Sequence, residues 1–148
     1  MTHAFNTPIG AVRLVEEGGS IIRIELTDAN ASSSAPTLLL REAEHQITAF
    51  LRGERCQLDF PIRMVGTPFQ QRVWQALQQI PYGATRTYGE IATAIGNPQA
   101  SRAVGMACNK TPLLLIVPCH RVVGANGKLT GFAYGVDAKQ WLLELEVE

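Results

Sequence analysis

The sequence predicts a mixed α/β protein in two parts: a small α/β domain over residues 1–62 and a mostly helical domain over residues 63–148. Two patterns carry this. β-favouring runs around a two-glycine turn fill the start of the chain, whereas the second half repeats helix caps, apolar faces at helical spacing and glycine stops. A length of 148 residues with 46% apolar content supports a real core. It excludes a disordered chain, a collagen-like chain and a disulfide-stapled miniprotein.

Each element has its local reason. Gly10–Glu16 and Ser20–Leu26 are β-rich and flank Gly18-Gly19, a hairpin signal. Asp28–Pro36 is polar and reads as a loop. Leu39, Leu40, Ala43, Ile47, Phe50 and Leu51 recur at helical spacing within Leu38–Leu51, and Gly53 follows the end. Cys56–Ile62 reads as a short strand closed by Pro61. In the second part Thr67 is an N-cap and Pro68 suits the first helical position. Phe69, Val73, Ala76, Leu77 and Ile80 form the apolar face, and Pro81-Tyr82-Gly83 ends the helix. Thr87-Tyr88-Gly89-Glu90 is a capping box for a short helix through Ile95 that Gly96 terminates. Asn97-Pro98 caps a further helix over Gln99–Cys108, and the pair has the outline of a helix-turn-helix. Leu113–Val117 is a continuous apolar run and reads as a buried strand. Asp137 with Gln140 opens the last helix, its buried face expected at Ala138, Trp141, Leu142 and Leu145. Trp74 and Trp141 read as core residues.

A formal net charge of zero hides an uneven distribution. Residues 1–60 hold five bases and eight acids, residues 61–135 seven bases against Glu90 alone, and the last thirteen residues one base against four acids. A basic middle segment points to a polyanion, foremost nucleic acid. Cys56, Cys108 and Cys119 are an odd number without C-x-x-C spacing, so neither a disulfide framework nor a cysteine-rich zinc site is expected. With no apolar run of membrane-spanning length and no secretory pattern at the N-terminus, a cytoplasmic location is the expectation.

The chemistry concentrates at Pro118-Cys119-His120-Arg121. A thiol beside a histidine and an arginine sits where positive charge favours the thiolate, the reactive form. On a strand, however, adjacent side chains point to opposite faces, so a buried structural cysteine is the competing interpretation.

Pro118-Cys119-His120-Arg121-Val122 resembles the active-site signature of the O6-alkylguanine-DNA alkyltransferases, the methylated-DNA–protein-cysteine methyltransferases. The similarity extends to Thr67–Trp74 with Ile80–Gly83, to Thr85–Ala92 with Gly96-Asn97-Pro98 and Ser101–Gly105, and to Trp141–Glu146. The resemblance implies an RNase H-like first domain and a winged-helix-like second domain whose helix-turn-helix binds DNA. It implies direct-reversal repair without a cofactor: single-use, irreversible transfer of the alkyl group from O6-alkylguanine in duplex DNA to Cys119, with O4-alkylthymine a further candidate substrate. His120 would then act as base through a water, Glu146 would hold His120, and Tyr88 would donate a proton or hydrogen bond to the departing purine. Arg102 would enter the duplex in place of the extruded nucleotide, with Asn97, Ala100, Ser101 and Gly105 alongside it on the DNA. Pro118, Val122, Thr111, Phe132 and Ala133 would line the pocket, the Val122 carbonyl reading the guanine amino group. The partner would be double-stranded DNA, met by a monomer.

Two positions depart from the family pattern. Thr111 stands where relatives usually carry an asparagine that braces the active-site turn, and Ala133 where many carry a larger or polar pocket residue. The zinc of some relatives has no evident ligands here, since the first half offers only His3, His45 and Cys56. The alternative reading is a non-catalytic alkyltransferase-like protein that binds lesions. Relatives of that kind replace the cysteine, commonly with tryptophan.

Overall fold

The computed structural model describes residues 1–27, 36–129, 132 and 134–147. The 28–35 part of the polar loop, Gly131 and Ala133 lie outside the described residues. The chain divides into two compact units, Met1–Val65 with Pro112–Ile116, and Gly66–Thr111 with Val117–Glu148.

In the first unit β1 (Thr2–Thr7), β2 (Gly10–Glu17) and β3 (Ser20–Thr27) form an antiparallel sheet in the order β1-β2-β3. Gly18 and Gly19 take φ of 61° and 80° between β2 and β3, as a two-residue hairpin turn with both central residues left-handed requires. The additional strand, β1, begins well before the predicted Gly10. It lacks a continuous apolar pattern of its own and is held by its register with β2, from Thr2 opposite Val15 to Thr7 opposite Gly10. Helix α1 (Leu38–Leu51) starts at Thr37, whose side chain accepts from the Leu40 N–H, and buries Leu40, Ala43, Ile47, Phe50 and Leu51. With Val12, Leu14, Ile21 and Ile24 from the sheet these make the unit's apolar core.

Two expected strands are absent. The 56–62 segment contributes one bridge, Ile62 with Ile21. Its course, which bends at Cys56 and Phe60, is tied instead by the buried Gln46 amide, which donates to the Asp59 carbonyl at 3.0 Å and accepts from the Asp59 N–H at 2.7 Å. The apolar 113–117 run likewise contributes a parallel bridge between Leu113 and Ile24. Leu115 then takes a left-handed φ of 74°, which breaks the extended run despite its β-favouring residues. Both short pieces lie against β3 and pair backbone groups that an open sheet edge would leave exposed.

The second unit is mostly helical. Helix α2 (Pro68–Leu77) has a full capping box between Thr67 and Gln70 and ends before Ile80. Trp74 is buried, its indole N–H donating to the Ala107 carbonyl at 2.9 Å. β4 (Arg86–Thr87) leads directly into α3 (Tyr88–Ala94), which carries the capping box of Thr87 and Glu90. Gly96 is left-handed at φ 82° after α3. Helix α4 (Ser101–Asn109) begins later than Asn97-Pro98 suggests. The Asn97 carbonyl accepts from the Ala100 N–H in a turn, and no side chain caps the helix. β5 (Val122–Val123) runs parallel to β4, Arg86 beside Val122 and Thr87 beside Val123.

Helix α5 (Val136–Val147) differs most from expectation. Its buried residues are Lys139, Leu142 and Glu146, while Trp141 and Leu145 are half-buried. Positions 139, 142 and 146 share one helical face, and two of the three are charged because that face supplies the site.

Candidate active site

Pro118 sits at the centre of an inverse γ-turn, with φ −80° and ψ 66°, closed by the Cys119 N–H donating to the Val117 carbonyl at 2.8 Å. The proline ring presets this φ. Cys119–Arg121 then form one turn of 3₁₀ helix before β5. On this turn neighbouring side chains diverge by about 120° rather than pointing to opposite faces as on a strand, which eases the objection without bringing Cys119 and His120 into direct contact.

Glu146 organises the polar side of the turn. His120 Nε2 lies 2.5 Å from Glu146 Oε2. Arg121 donates from Nε to Oε1 at 2.8 Å and from Nη2 to Oε2 at 2.9 Å, and the Gly83 N–H donates to Oε1 at 3.1 Å. Burial alone would raise the Glu146 carboxyl, but hydrogen bonds from His120 and Arg121 outweigh it and hold the group at about 2. The carboxylate is therefore ionised, and Nε2 of His120 must carry the hydrogen it donates. Burial lowers the His120 pKa against the opposing pull of Glu146, so the ring is neutral. Its Nδ1 is then a lone-pair acceptor, buried and without a partner among the described residues.

The sulfur has different neighbours. Cys119 Sγ lies 2.7 Å from the Thr111 hydroxyl and 3.4 Å from the Cys108 carbonyl. Burial pushes the Cys119 thiol up, but hydrogen bonds from Cys108 and Thr111 and the charge of Lys139 bring it below its ordinary value. Cys108, hydrogen-bonded to Cys119 and buried, is held above its own. Lys139 is fully buried, and its ammonium lies 5.9 Å from the centre of the Tyr88 ring. The structure thus brings Cys119, His120, Glu146, Thr111 and Tyr88 into one unit around residues that sequence reasoning missed: Arg121 as the carboxylate's clamp, Cys108, Lys139 and Gly83. Arg121 stood in the motif and was a visible signal; nothing local marks Lys139.

Pro118 and Val122 are buried beside the sulfur's turn, and Phe132 is half-buried in edge contact with Tyr134. On α4 Arg102 is exposed, as is Asn97 in the preceding turn, while Ala100, Ser101 and Gly105 are half-buried. Gly105 faces Tyr88, where a Cβ would stand 3.8 Å from the ring. Among the described residues no group of three or more His, Cys, Asp or Glu is placed to hold a metal ion, and no helix is long and apolar enough to cross a membrane.

A buried sulfur with a depressed pKa, next in sequence to a neutral histidine fixed by a carboxylate, defines a cysteine-nucleophile protein of mixed α/β architecture. Comparison with known proteins gives the family. Residues 68–148 match 6-O-methylguanine DNA methyltransferase, DNA binding domain. A methylated-DNA–protein-cysteine methyltransferase of Methanosarcina acetivorans is 50% identical over 151 residues, covering 96% of this chain and 95% of that protein. One of Mycobacterium leprae is 43% identical, covering 97% and 90%. The crystal structure of Mycobacterium tuberculosis OGT in complex with DNA superposes with a TM-score of 0.90 at 42% identity, covering 99% of this chain and 92% of that one. The chain belongs to the methylated-DNA–protein-cysteine methyltransferase family.

Proposed function

We propose that this protein repairs DNA by direct reversal, taking one alkyl group from O6-alkylguanine onto Cys119 and ending as the S-alkyl protein. The observation that carries the reading is the neutral His120, its Nε2–H given to Glu146 and its Nδ1 left open, next in sequence to a sulfur of depressed pKa. Nδ1 accepts the Cys119 proton through one bridging water. The thiolate attacks the alkyl carbon; the new S–C bond forms as the C–O6 bond breaks, and the electron pair leaves with the purine. Tyr88 passes a proton to that purine, so guanine departs neutral, and the proton held by His120 restores the balance. Arg121 and Gly83 keep the Glu146 charge in place throughout. The step is complete without a cofactor.

Reaching the alkyl carbon requires the nucleotide to leave the stack. The α3–α4 pair acts as a helix-turn-helix in the minor groove, with exposed Arg102 filling the vacated space and Asn97, Ala100, Ser101 and Gly105 near the backbone. Pro118, Val122, Thr111, Phe132 and Ala133 border the base pocket, the Val122 carbonyl accepting from the guanine amino group. The first domain is RNase H-like, a reading supported by its three antiparallel strands followed by α1. The second is winged-helix-like. The protein works in the cytoplasm as a monomer on duplex DNA.

The test is incubation with a duplex carrying radiolabelled O6-methylguanine. Label is expected on the protein at close to one per chain, with the adduct at Cys119 in the peptide mass spectrum. Retained lesion binding without label would instead support the non-catalytic reading.

A further inference from the structure

We propose that the Thr111 hydroxyl is a positioning donor for the nucleophile, giving its hydrogen to Cys119 Sγ and deciding which of two neighbouring thiols carries the charge. This rests on the alkyl-acceptor reading above for its functional meaning and assigns the residue a role particular to this chain.

The donor's direction follows from hydrogen counting. In the neutral thiol the single S–H of Cys119 is directed to the Cys108 carbonyl at 3.4 Å, so the contact at 2.7 Å is supplied with its hydrogen by Thr111. In the thiolate the sulfur only accepts, and the Thr111 bond becomes charge-assisted. The titratable groups facing the sulfur are Cys108 from α4 and Lys139 from α5, with His120 in the same turn. Lys139 acts on both thiols, so its charge favours a thiolate without choosing between them. Two adjacent buried thiols cannot both ionise cheaply. The Thr111 hydroxyl makes its side-chain hydrogen bond to Cys119 Sγ, at 2.7 Å, and not to Cys108. That asymmetry makes the second thiol a donor and the first an anion. A valine in place of Thr111 keeps the volume and removes the hydrogen.

The experiment measures the pH dependence of Cys119 alkylation by iodoacetamide, located by peptide mass spectrometry, in the unaltered chain, Thr111→Val and Thr111→Ser. The valine variant is expected to move the inflection up by about one to two pH units, and to slow methyl transfer from an O6-methylguanine duplex at pH 7 by roughly tenfold to a hundredfold. The serine variant is expected to keep both near the unaltered values. A folded valine variant with an unmoved inflection overturns the proposal. If valine prevents folding, Thr111→Ala takes its place as the hydroxyl-free variant: an unmoved inflection there overturns the proposal, and one raised by about one unit or more supports it. Iodoacetamide reads the sulfur without DNA. An unaltered chain that accepts no methyl group therefore removes the repair reading while the inflection comparison stands or falls by itself.

Discussion

The guanidinium of Arg121 meets the Glu146 carboxylate edge to edge, Nε on Oε1 and Nη2 on Oε2 at 2.8 and 2.9 Å, and both groups are buried. Its remaining nitrogen, Nη1, donates to the Ile80 carbonyl at 2.9 Å. The acid that orients His120 is thus itself oriented, by a cation that anchors α5 to the end of the segment after α2.

Glu146→Gln keeps the shape but leaves the Arg121 charge buried without its counterpart. Breaking a buried pair from one side costs about 3–5 kcal/mol, so a large loss in denaturant midpoint is expected. Transfer from lesion duplex is expected to fall by roughly a hundredfold, since an amide no longer fixes the His120 tautomer. A folded variant with unaltered single-turnover rate removes Glu146 from the mechanism.

Acid is expected to destabilise the fold in two steps. His120 has a lowered folded pKa, so below its unfolded value of about 6.5 the unfolded chain takes up a proton that the native protein refuses, and stability falls. Glu146, at about 2 when folded, contributes stability that is present above its unfolded value and lost as pH falls toward 2. Chemical denaturation from pH 7 to pH 3 checks both limbs, and Glu146→Gln is expected to lack the second.

Gly66 is required by packing. A Cβ there would lie 2.5 Å from Cη2 of Trp74 and 2.6 Å from Cζ3, on a ring that is buried and tied to Ala107. Gly66→Ala is expected to cost about 1–3 kcal/mol by overpacking. An unchanged melting temperature would show that the ring yields.

Arg102→Ala is expected to slow transfer from duplex by roughly tenfold or more while slowing transfer from a free O6-alkylguanine base far less, because a free base needs no extrusion. Equal losses with both substrates would place Arg102 in the chemistry instead. Duplex binding is also expected to weaken as salt rises.

Legibility in the sequence followed the range of the interactions. α1 was readable from apolar residues recurring at helical spacing, and α2 and α3 also from N-caps whose partners lie within four residues, as in Thr67 with Gln70 and Thr87 with Glu90. The Pro118–Val122 motif brought Cys119 and His120, and the resemblance brought Glu146. What escaped depends on distant partners. β1 exists by pairing with β2, the 113–117 run is broken at Leu115, and Lys139 is buried because Cys108, Cys119 and Tyr88 arrive from three other segments. A lysine on a helix reads as solvated, and no pattern within α5 says otherwise.

The S–H of Cys119 gives its hydrogen to the carbonyl of Cys108. Once sulfur carries a carbon substituent there is no hydrogen left to give, and the added bulk must find room where the thiol was 7% exposed. A spent molecule is therefore chemically marked at its own centre: its Cys108 carbonyl is left with the Thr111 N–H at 3.3 Å, its turn is crowded, and its history is written into its melting curve.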